Sequence, residues 1–258
     1  MSKKAEPQIL ARVSSLAKSF NHVPAVKSIS FEIKRGETFG LLGPNGAGKT
    51  TTINMLATYL RPDSGDALID GKSVNTDELE VKKIIGFVPQ EIALYSDLTA
   101  RENLIFFGSI YSQSKTVIQE RTDELLEFVG LKDETKKRVK QFSGGMKRRL
   151  NIAAGLMNRP VFLMMDEPTV GIDPQSRENI YELIGRIKEQ GTTILYTSHY
   201  MEEVEKLCDT IAIMDHGTII ASGTLGELLK LKKKTHKVYR PSGLEELFIQ
   251  LTGSHLRD

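Results

Sequence analysis

The sequence is short of cysteine, of net charge and of long apolar runs, and each shortage excludes a class of protein. Cys208 is the only cysteine, so the chain can form neither an internal disulfide nor a metal site of several thiolates. Lysine and arginine (35) nearly balance aspartate and glutamate (33), which leaves a formal charge of +2. No global field would therefore attract nucleic acid or an anionic membrane.

No apolar run approaches the roughly 18 residues that a membrane-crossing helix needs, and Met1–Lys4 does not begin a signal peptide. We therefore expect a cytoplasmic protein. Its 258 residues suffice for one large domain or two modest ones. Cys208 is expected to be a small buried hydrophobe. Basic residues cluster in three places, each expected to be a solvated face: Lys136–Lys140, Lys147–Arg149 and Lys230–Lys237.

The most informative segment reads G-x-x-x-x-G-K-T and occupies Gly43–Thr51. A strand-like run, Thr38–Leu42, precedes it, and Thr51–Tyr59 has helical apolar spacing, which is the setting a phosphate-binding loop requires. Its glycines let backbone N–H groups point at phosphate oxygens. Lys49 can reach the β- and γ-phosphates, and the Thr50 hydroxyl can bind Mg²⁺. The alternative is a glycine-rich turn with a stray lysine. The residues expected to contact nucleotide here are Gly43, Pro44, Asn45, Gly46, Ala47, Gly48, Lys49, Thr50 and Thr51.

Other local patterns predict an α/β fold. Continuous apolar runs such as Val161–Met165 predict a sheet that is covered on both faces. Thr99 and Glu102 form a capping box that opens a helix over Ala100–Ser112. A second helix is expected over Thr116–Val129 with a stop at Gly130, and a third near Ser143. The predicted strands are Gln8–Val13, Lys27–Ile33, Thr38–Leu42, Ala67–Asp70, Ile84–Val88, Val161–Met165, Thr192–Thr197 and Ile211–Asp215.

These patterns predict three parts. Residues 1–90 and 159–230 would form a nucleotide-binding core with a mixed sheet, and residues 91–158 an inserted helical subdomain. Residues 231–258 would form a tail, in which a charged linker leads to a short amphipathic helix. The apolar stripe of that helix is Leu244, Leu247, Phe248 and Leu251.

Several polar residues follow predicted strands and could complete a phosphate-transfer site. Asp166 could hold Mg²⁺, and Glu167 could act as the general base for water, although this pair also suits a plain helix N-terminus. Gln90 could bind Mg²⁺ or orient water, or be an ordinary loop residue. His199 could donate a hydrogen bond to a γ-phosphate, or be structural. Asp173 before Pro174 is most simply a helix N-cap, whatever else it does.

Ser143-Gly144-Gly145 opens a helix that contains Lys147, Arg148 and Arg149. A hydroxyl and bare backbone N–H groups at a helix start form a second anion-binding end, although a glycine-rich helix start would look the same. One ATP needs only one phosphate loop. We therefore interpret this segment as serving a nucleotide held by a facing subunit.

Taken together, these motifs resemble the ATP-binding subunits of ABC transporters, over nearly the whole chain and in the expected order. The resemblance implies an α/β P-loop ATPase core with an inserted helical subdomain, and ATP and Mg²⁺ as cofactors. It identifies Gly43–Thr51 as the Walker A loop, Ser143–Gly145 as the signature, and Asp166 and Glu167 as the Walker B end. It also makes Gln90 the Q-loop residue, Asp173 part of the D-loop and His199 the switch histidine.

Phe20 matches the family's upstream aromatic, on which adenine stacks; core packing is the other reading of Phe20. The signature departs from the common form, since Met146 replaces glutamine and cannot make the hydrogen bond of its amide. This variant, followed by Lys-Arg-Arg-Leu, is similar to a subgroup that includes bacterial drug and antibiotic exporters, as is the segment Ser242–Gly253.

The resemblance implies a partner set. Two copies would close head to tail over two ATP molecules, and a homodimer is the simplest assembly because one chain carries Glu167, His199 and the full Ser-Gly-Gly. Separate integral membrane permease subunits would form the channel, with docking near Gln90 and Tyr95–Leu98. The chain would then be peripheral on the inner face of the cell membrane, with no nucleic-acid partner.

Three rival functions have weaker support. DNA-acting ATPases of this type place a long coiled coil between phosphate loop and signature, whereas about 90 residues without sustained heptads lie between Thr50 and Ser143 here. Translation-associated members normally fuse two such domains, and this chain has one. A non-hydrolysing sensor or scaffold would be expected to lack Glu167 or His199.

Overall fold

The computed structural model describes residues 8–111 and 114–231, together with Leu244, Leu247, Phe248 and Leu251. The strands of these residues are β1 (Ile9–Phe20), β2 (Val23–Lys34), β3 (Thr38–Leu42), β4 (Ser64–Ile69), β5 (Lys72–Ser73), β6 (Ile85–Val88), β7 (Phe162–Asp166), β8 (Thr193–Ser198), β9 (Thr210–Asp215) and β10 (Thr218–Gly223). The α-helices are α1 (Lys49–Leu56), α2 (Glu78–Ile84), α3 (Ala100–Ser109), α4 (Lys115–Phe128), α5 (Gly144–Gly155), α6 (Pro174–Glu189), α7 (Met201–Leu207) and α8 (Leu225–Lys230). In this part of the chain, no helix is both long and apolar enough to cross a membrane.

The chain divides into two units, and the first contains the described residues up to Val81 and from Thr193 onward. One antiparallel sheet of this unit has the strand order β2-β1-β4-β5. Buried side chains alternate along β2, as in Phe31 and Ile33, so one face of the sheet lies on the core and the other faces solvent.

The first unit also contains β3 between β8 and β9, parallel to both, with β10 antiparallel to β9. All five residues of β3 are buried, which fits an interior parallel strand. Leu42 at the end of β3 lies in register with Ser198 at the end of β8. The loops that follow these two strands therefore leave from the same edge.

The predicted apolar stripe of the tail belongs to the core of the first unit. Leu244, Leu247 and Phe248 are buried in a cluster that includes residues of β3, α7, β9 and α8, whereas Leu251 is exposed. Cys208 packs beside this cluster, as expected for a small hydrophobe, but it is only partly buried rather than buried. Of the predicted charged linker, Lys230 ends α8, and residues 232–237 lie outside the described residues.

The second unit contains residues 82–192, with parallel strands β6 and β7 and helices α3 to α6. Every residue of β7 is buried, as its continuous apolar sequence predicted. The capping box of Thr99 and Glu102 at α3 is confirmed, as are the N-cap Asp173 of α6 and the helix start near Ser143, which is the N-cap of α5. Gly130 ends α4 with a φ of +66°. Helix α3 ends at Ser109, with Ile110 as its C-cap, and so is shorter than the predicted Ala100–Ser112; Ser112 itself lies outside the described residues.

Some expectations differ from the structure. The helix after the phosphate loop ends at Leu56 rather than Tyr59, and Thr58 has a φ of +60°, which breaks the helical path. Strands β5 and β10 lacked a clear signal, because β5 has two residues and β10 is only partly buried. The basic cluster at 147–149 is not a solvated face throughout, since Arg148 is buried. The division into core, helical subdomain and tail stays a prediction.

Candidate nucleotide site

The phosphate loop joins β3 to α1, and its glycines are required by its geometry. Gly48 is the N-cap of α1 with φ 106° and ψ 6°, and an added Cβ would lie 2.6 Å from the carbonyl oxygen of Ala25. A Cβ on Gly43 would lie 2.1 Å from the carbonyl oxygen of Met214. A Cβ on Gly46 would meet no atom within 4 Å. Glycine is favoured there only because the backbone has a φ of +80°. The loop is thus seated tightly on one side and open on the other.

Lys49 is held against the loop from which it comes. Its Nζ donates to the carbonyl oxygens of Gly43 at 2.7 Å and Pro44 at 3.1 Å, and the residue is 4 % exposed. Thr50 is exposed on the first turn of α1, where backbone N–H groups have no acceptor within the helix. A lysine, a hydroxyl and a helix N-terminus therefore meet at one loop, which is an arrangement suited to phosphate.

The structure brings His199 to this loop. Gly43 donates its N–H to the carbonyl oxygen of Ser198 at 3.2 Å, and His199 follows directly, half-buried beside the ring of Tyr200. Ser198 Oγ accepts the N–H of Tyr200 at 2.9 Å and donates to Glu203 at 2.8 Å. The backbone on both sides of His199 is therefore fixed.

Glu203 is the residue of this network that sequence reasoning missed. Its carboxylate is buried and also accepts the hydroxyl of Tyr196 at 2.8 Å. Its place in a charged run, Met-Glu-Glu-Val-Glu, gives no local sign that this side chain is buried. The only available signal was spacing, because Glu203 is one turn past His199 on a helix whose apolar face points inward.

Phe20 ends β1, next to the turn into β2, and is 47 % exposed. The alternative reading of Phe20 as a core residue is therefore wrong. An exposed aromatic ring is available for stacking on a base.

In the second unit, Asp166 is the last residue of β7 and Glu167 follows it. Both are buried, at 2 % and 5 % exposure. Glu167 has a φ of +44°, a conformation that costs a non-glycine residue about 1–3 kcal/mol. Such strain persists only where surrounding contacts fix it, and it concentrates at functional sites.

Ser143 caps α5 by accepting the N–H of Met146 at 3.2 Å, so the helix start predicted from Ser-Gly-Gly is present. Ser143 and Gly144 are exposed, whereas Gly145 is buried. Gly145 packs closely on Ser176, since an added Cβ would lie 2.4 Å from Ser176 Oγ. Ser176 also donates its N–H to Asp173 at 2.9 Å. The signature and the Asp173 loop are therefore adjacent.

Asp173 is exposed, and hydrogen bonding from the backbone N–H of Ser176 holds its pKa below the usual range. It therefore stays ionised at neutral pH. Gln90 is also exposed, just beyond β6, and its backbone carbonyl accepts a hydrogen bond from Arg148 at 2.6 Å.

The predicted Mg²⁺ ligands are a hydroxyl (Thr50), a carboxylate (Asp166) and an amide (Gln90), and all are hard oxygen donors of the kind that Mg²⁺ prefers. No cluster of three or more His, Cys, Asp or Glu that could hold a metal occurs in the described part of the chain. Mg²⁺ bound with a nucleotide needs no such cage, because phosphates and waters supply most of its ligands. The donor set therefore fits Mg²⁺ bound with a nucleotide.

Comparison with known proteins identifies the family to which the chain belongs. The family model described as ABC transporter matches residues 26–170. The linearmycin resistance ATP-binding protein LnrL of Bacillus subtilis is 48 % identical over 241 residues, which are 93 % of this chain and 78 % of that protein. The daunorubicin/doxorubicin resistance ATP-binding protein DrrA of Streptomyces peucetius is 41 % identical over 86 % of this chain and 68 % of its own length.

Solved structures agree. The chain is similar to cbiO1 of Clostridium perfringens, part of the ABC transporter complex cbiONQ, with a TM-score of 0.79 and 29 % identity over 86 % of this chain and 91 % of that one. It is also similar to the cassette MJ0796 in a dimeric post-hydrolysis state bound to ADP and Pi, with a TM-score of 0.75 and 27 % identity over 83 % of this chain and 98 % of that one. With the phosphate loop, the Walker B end and the signature present in its own sequence, this chain belongs to the ABC transporter family, as an ATP-binding and ATP-hydrolysing subunit.

Proposed function

We propose that this chain powers the export of a drug-like or antibiotic-like small molecule through separate membrane subunits. The observation that carries the proposal is the 48 % identity, over 93 % of the chain, to a protein named for linearmycin resistance. A relative named for daunorubicin and doxorubicin resistance, and another from Ralstonia nicotianae named for Nod factor export, support an export direction.

The phosphate loop is proposed to bind the ATP phosphates. Backbone N–H groups of Gly43–Thr51 would donate to phosphate oxygens, and Lys49 would exchange its two carbonyl acceptors for phosphate, with shorter and stronger charge-assisted bonds. Phe20 would stack on adenine. Its exposed ring supports this role.

Hydrolysis needs an activated water and a stabilised γ-phosphate. Glu167, fixed in a strained backbone conformation, is proposed as the general base, and His199 as the hydrogen-bond donor to the γ-phosphate. Thr50, Asp166 and Gln90 would hold Mg²⁺, which supplies charge neutralisation at the phosphates.

A second copy of the chain is proposed to complete each site. Ser143, Gly144 and Asp173 are exposed and adjacent, which suits contact with a nucleotide held by a partner. The dimeric form of a similar cassette supports this assembly. A homodimer with two working sites is favoured because one chain carries every required group.

The permease is proposed to dock on an exposed apolar patch near Gln90, which would keep the chain peripheral on the cytoplasmic face of the membrane. Tyr95 and Phe106 pack edge to face at 4.8 Å and leave both rings partly exposed. An exposed apolar patch of this kind marks an interaction surface. Other exposed apolar side chains close to this pair in the sequence are Ile92, Ile110 and Tyr111.

Two substitutions test the catalytic roles. Glu167→Gln keeps the shape and acceptor oxygen of the side chain but removes the base, so ATP binding should stay near normal while hydrolysis falls by about 10²–10⁴-fold. Lys49→Ala should instead weaken ATP binding itself, because a charge-assisted donor is lost. Titration with a fluorescent ATP analogue and single-turnover hydrolysis separate the two effects. Normal hydrolysis by Glu167→Gln would refute its role as base.

Mixing two inactive variants tests the shared site. Ser143→Arg blocks the signature of one copy, and Lys49→Ala disables the phosphate loop of the other. A mixed dimer would contain one intact site, made of the normal loop of the first copy and the normal signature of the second. ATPase activity should therefore reappear on mixing. If both variants are folded and exchange subunits, yet the mixture has no more ATPase activity than either variant alone, the two copies do not complete each other's sites.

Export can be tested separately. Cells that lack the chain should become more sensitive to linearmycin, daunorubicin or a related antibiotic, and the native chain should restore resistance whereas Glu167→Gln should not. Unchanged sensitivity to a panel of such compounds would contradict a role in drug or antibiotic export, while leaving the ATPase activity itself in place.

A further inference from the structure

The segment between Val88 and Thr99 has no regular secondary structure, yet it carries Gln90 and part of the exposed apolar patch. We call residues 89–95 the Gln90 loop. A loop that must place an amide side chain at a metal or water needs fixed backbone positions, and these come from two helices of the same unit.

Arg148 of α5 holds the start of the loop. Its Nη1 donates to the carbonyl oxygen of Pro89 at 2.9 Å, and its Nη2 donates to that of Gln90 at 2.6 Å. The residue is 3 % exposed. The planar guanidinium offers two donors in a fixed fork, which fits two successive carbonyls in a way that a lysine cannot reproduce.

The rest of the loop is held by two buried asparagines. Asn151, one turn after Arg148 on α5, accepts the N–H of Ala93 at 3.3 Å. Asn103 of α3 accepts the N–H of Tyr95 at 2.8 Å and donates to its carbonyl oxygen at 3.0 Å. Both buried asparagines therefore hydrogen-bond to the backbone of the loop.

The same helix is tightly joined to the strand that leads into the loop. A Cβ on Gly86 of β6 would lie 2.1 Å from the carbonyl oxygen of Gly155 at the end of α5, so helix and strand pack backbone to backbone. Helix α5 begins at the Ser143 cap. It therefore links the signature to β6, which leads into the Gln90 loop, and through Arg148 to the loop itself. Close packing of this kind transmits displacement rather than absorbing it.

We propose that Arg148 is a positioning residue for ATP hydrolysis: from the signature helix it fixes the backbone of Pro89 and Gln90 and so sets where the Gln90 amide lies, with Asn151 supporting the middle of the loop. This inference rests on the proposed role of Gln90. A displacement of the signature would then be felt at Gln90 of the same chain.

Hydrogen exchange tests the structural half of the proposal on the purified full-length chain, without need of hydrolysis. Arg148→Met removes both donors at similar volume, and the amides of Ala93 and Tyr95, which now donate to asparagines, should exchange about tenfold faster. Arg148→Lys, which retains charge, should give a smaller increase and serves if the methionine variant does not fold. Unchanged exchange of both amides in a folded variant overturns the proposal.

Arg149→Met is the matched control. Arg149 neighbours Arg148 on α5, but its Nη1 donates to the carbonyl oxygens of Val129 and Gly130. Its loss should raise exchange at the end of α4 and leave Ala93 and Tyr95 as they were. Equal acceleration of the Gln90 loop by both variants would mean general loosening of the unit, and would overturn a specific role.

A double-mutant cycle tests the functional half. Gln90→Ala removes the amide but keeps the backbone carbonyl that Arg148 binds. Arg148→Met and Gln90→Ala should each raise the Mg²⁺ concentration for half-maximal ATPase activity, by about tenfold, and the double variant should be no worse than Gln90→Ala. Additive effects would show that Arg148 acts elsewhere. If instead Glu167→Gln hydrolyses ATP normally, it is the proposed function that fails.

Discussion

At the scale of single residues, the backbone around His199 is held through one buried carboxylate. Glu203 accepts hydroxyl hydrogen bonds from Tyr196 and Ser198, and Ser198 in turn holds Gly43 and Tyr200 through its own backbone and side chain. A buried carboxylate is tolerated only when such partners replace its hydration. The same bonds fix the chain on both sides of His199.

Glu203→Ala should lower the free energy of unfolding by roughly 3 kcal/mol, because two buried hydroxyls lose a charged acceptor. ATPase activity should fall as well, since the His199 loop loses its anchor. Chemical denaturation and steady-state hydrolysis measure the two effects. Glu202→Ala, its exposed neighbour on α7, is the control and should change stability by less than about 0.5 kcal/mol. Similar effects of both variants would contradict this role.

At the scale of elements, helix starts are set by local chemistry. Thr99 accepts the N–H of Glu102, and the Glu102 carboxylate accepts the N–H of Thr99 at 2.8 Å. That backbone hydrogen bond holds the pKa of Glu102 below its ordinary range. At α6 the carboxylate of Asp173 itself accepts the N–H of Ser176, and this hydrogen bond lowers the pKa of Asp173.

Thr99→Ala should cost about 1 kcal/mol of stability by removing the cap. Glu102→Gln should act in a pH-dependent way. Because the pKa of Glu102 is lower in the folded state, its contribution is present above the unfolded value of about 4.3 and is lost as the pH falls through the folded pKa. The stability difference between native chain and Glu102→Gln should therefore shrink between pH 6 and pH 3. A constant difference in denaturation midpoints over that range would contradict the capping role.

At the scale of the whole molecule, distant parts of the chain share a core. Leu244, Leu247 and Phe248 pack with Leu42 at the end of β3 and Val204 of α7, more than 30 residues away. The backbone N–H of Leu244 also donates to Glu205 of α7 at 2.8 Å. Leu244, Leu247 and Phe248 therefore belong to the core of the first unit and pack against α7, the helix that follows His199.

Phe248→Ala should lower the free energy of unfolding by about 3–5 kcal/mol, because it leaves a cavity in this cluster. Leu251→Ala is the matched control from the same stripe; it is 43 % exposed, so its loss should cost under about 1 kcal/mol. Thermal denaturation of the full chain measures both. Equal shifts in the thermal denaturation midpoint for the two variants would contradict the burial of Phe248 in this cluster.

Sequence alone was enough for the phosphate loop, the capped helices and the continuous buried strand β7. Their signals are local: a glycine needed for positive φ, a cap bonded three residues along, or an unbroken apolar run. The family followed from the order of those local motifs. The domain boundaries and the role of each site residue remain predictions, because they concern arrangements that no local pattern specifies.

Tertiary structure decided the partners of buried polar groups. Arg148 lies in a basic run that predicted a solvated face, and Glu203 lies in an acidic run, yet both are buried. Their acceptors and donors lie on other elements, and Gly43 finds the carbonyl of Ser198 more than 150 residues away. A charged side chain carries no sequence signal for a distant partner, because only the folded chain brings together the carbonyls and hydroxyls that replace its hydration.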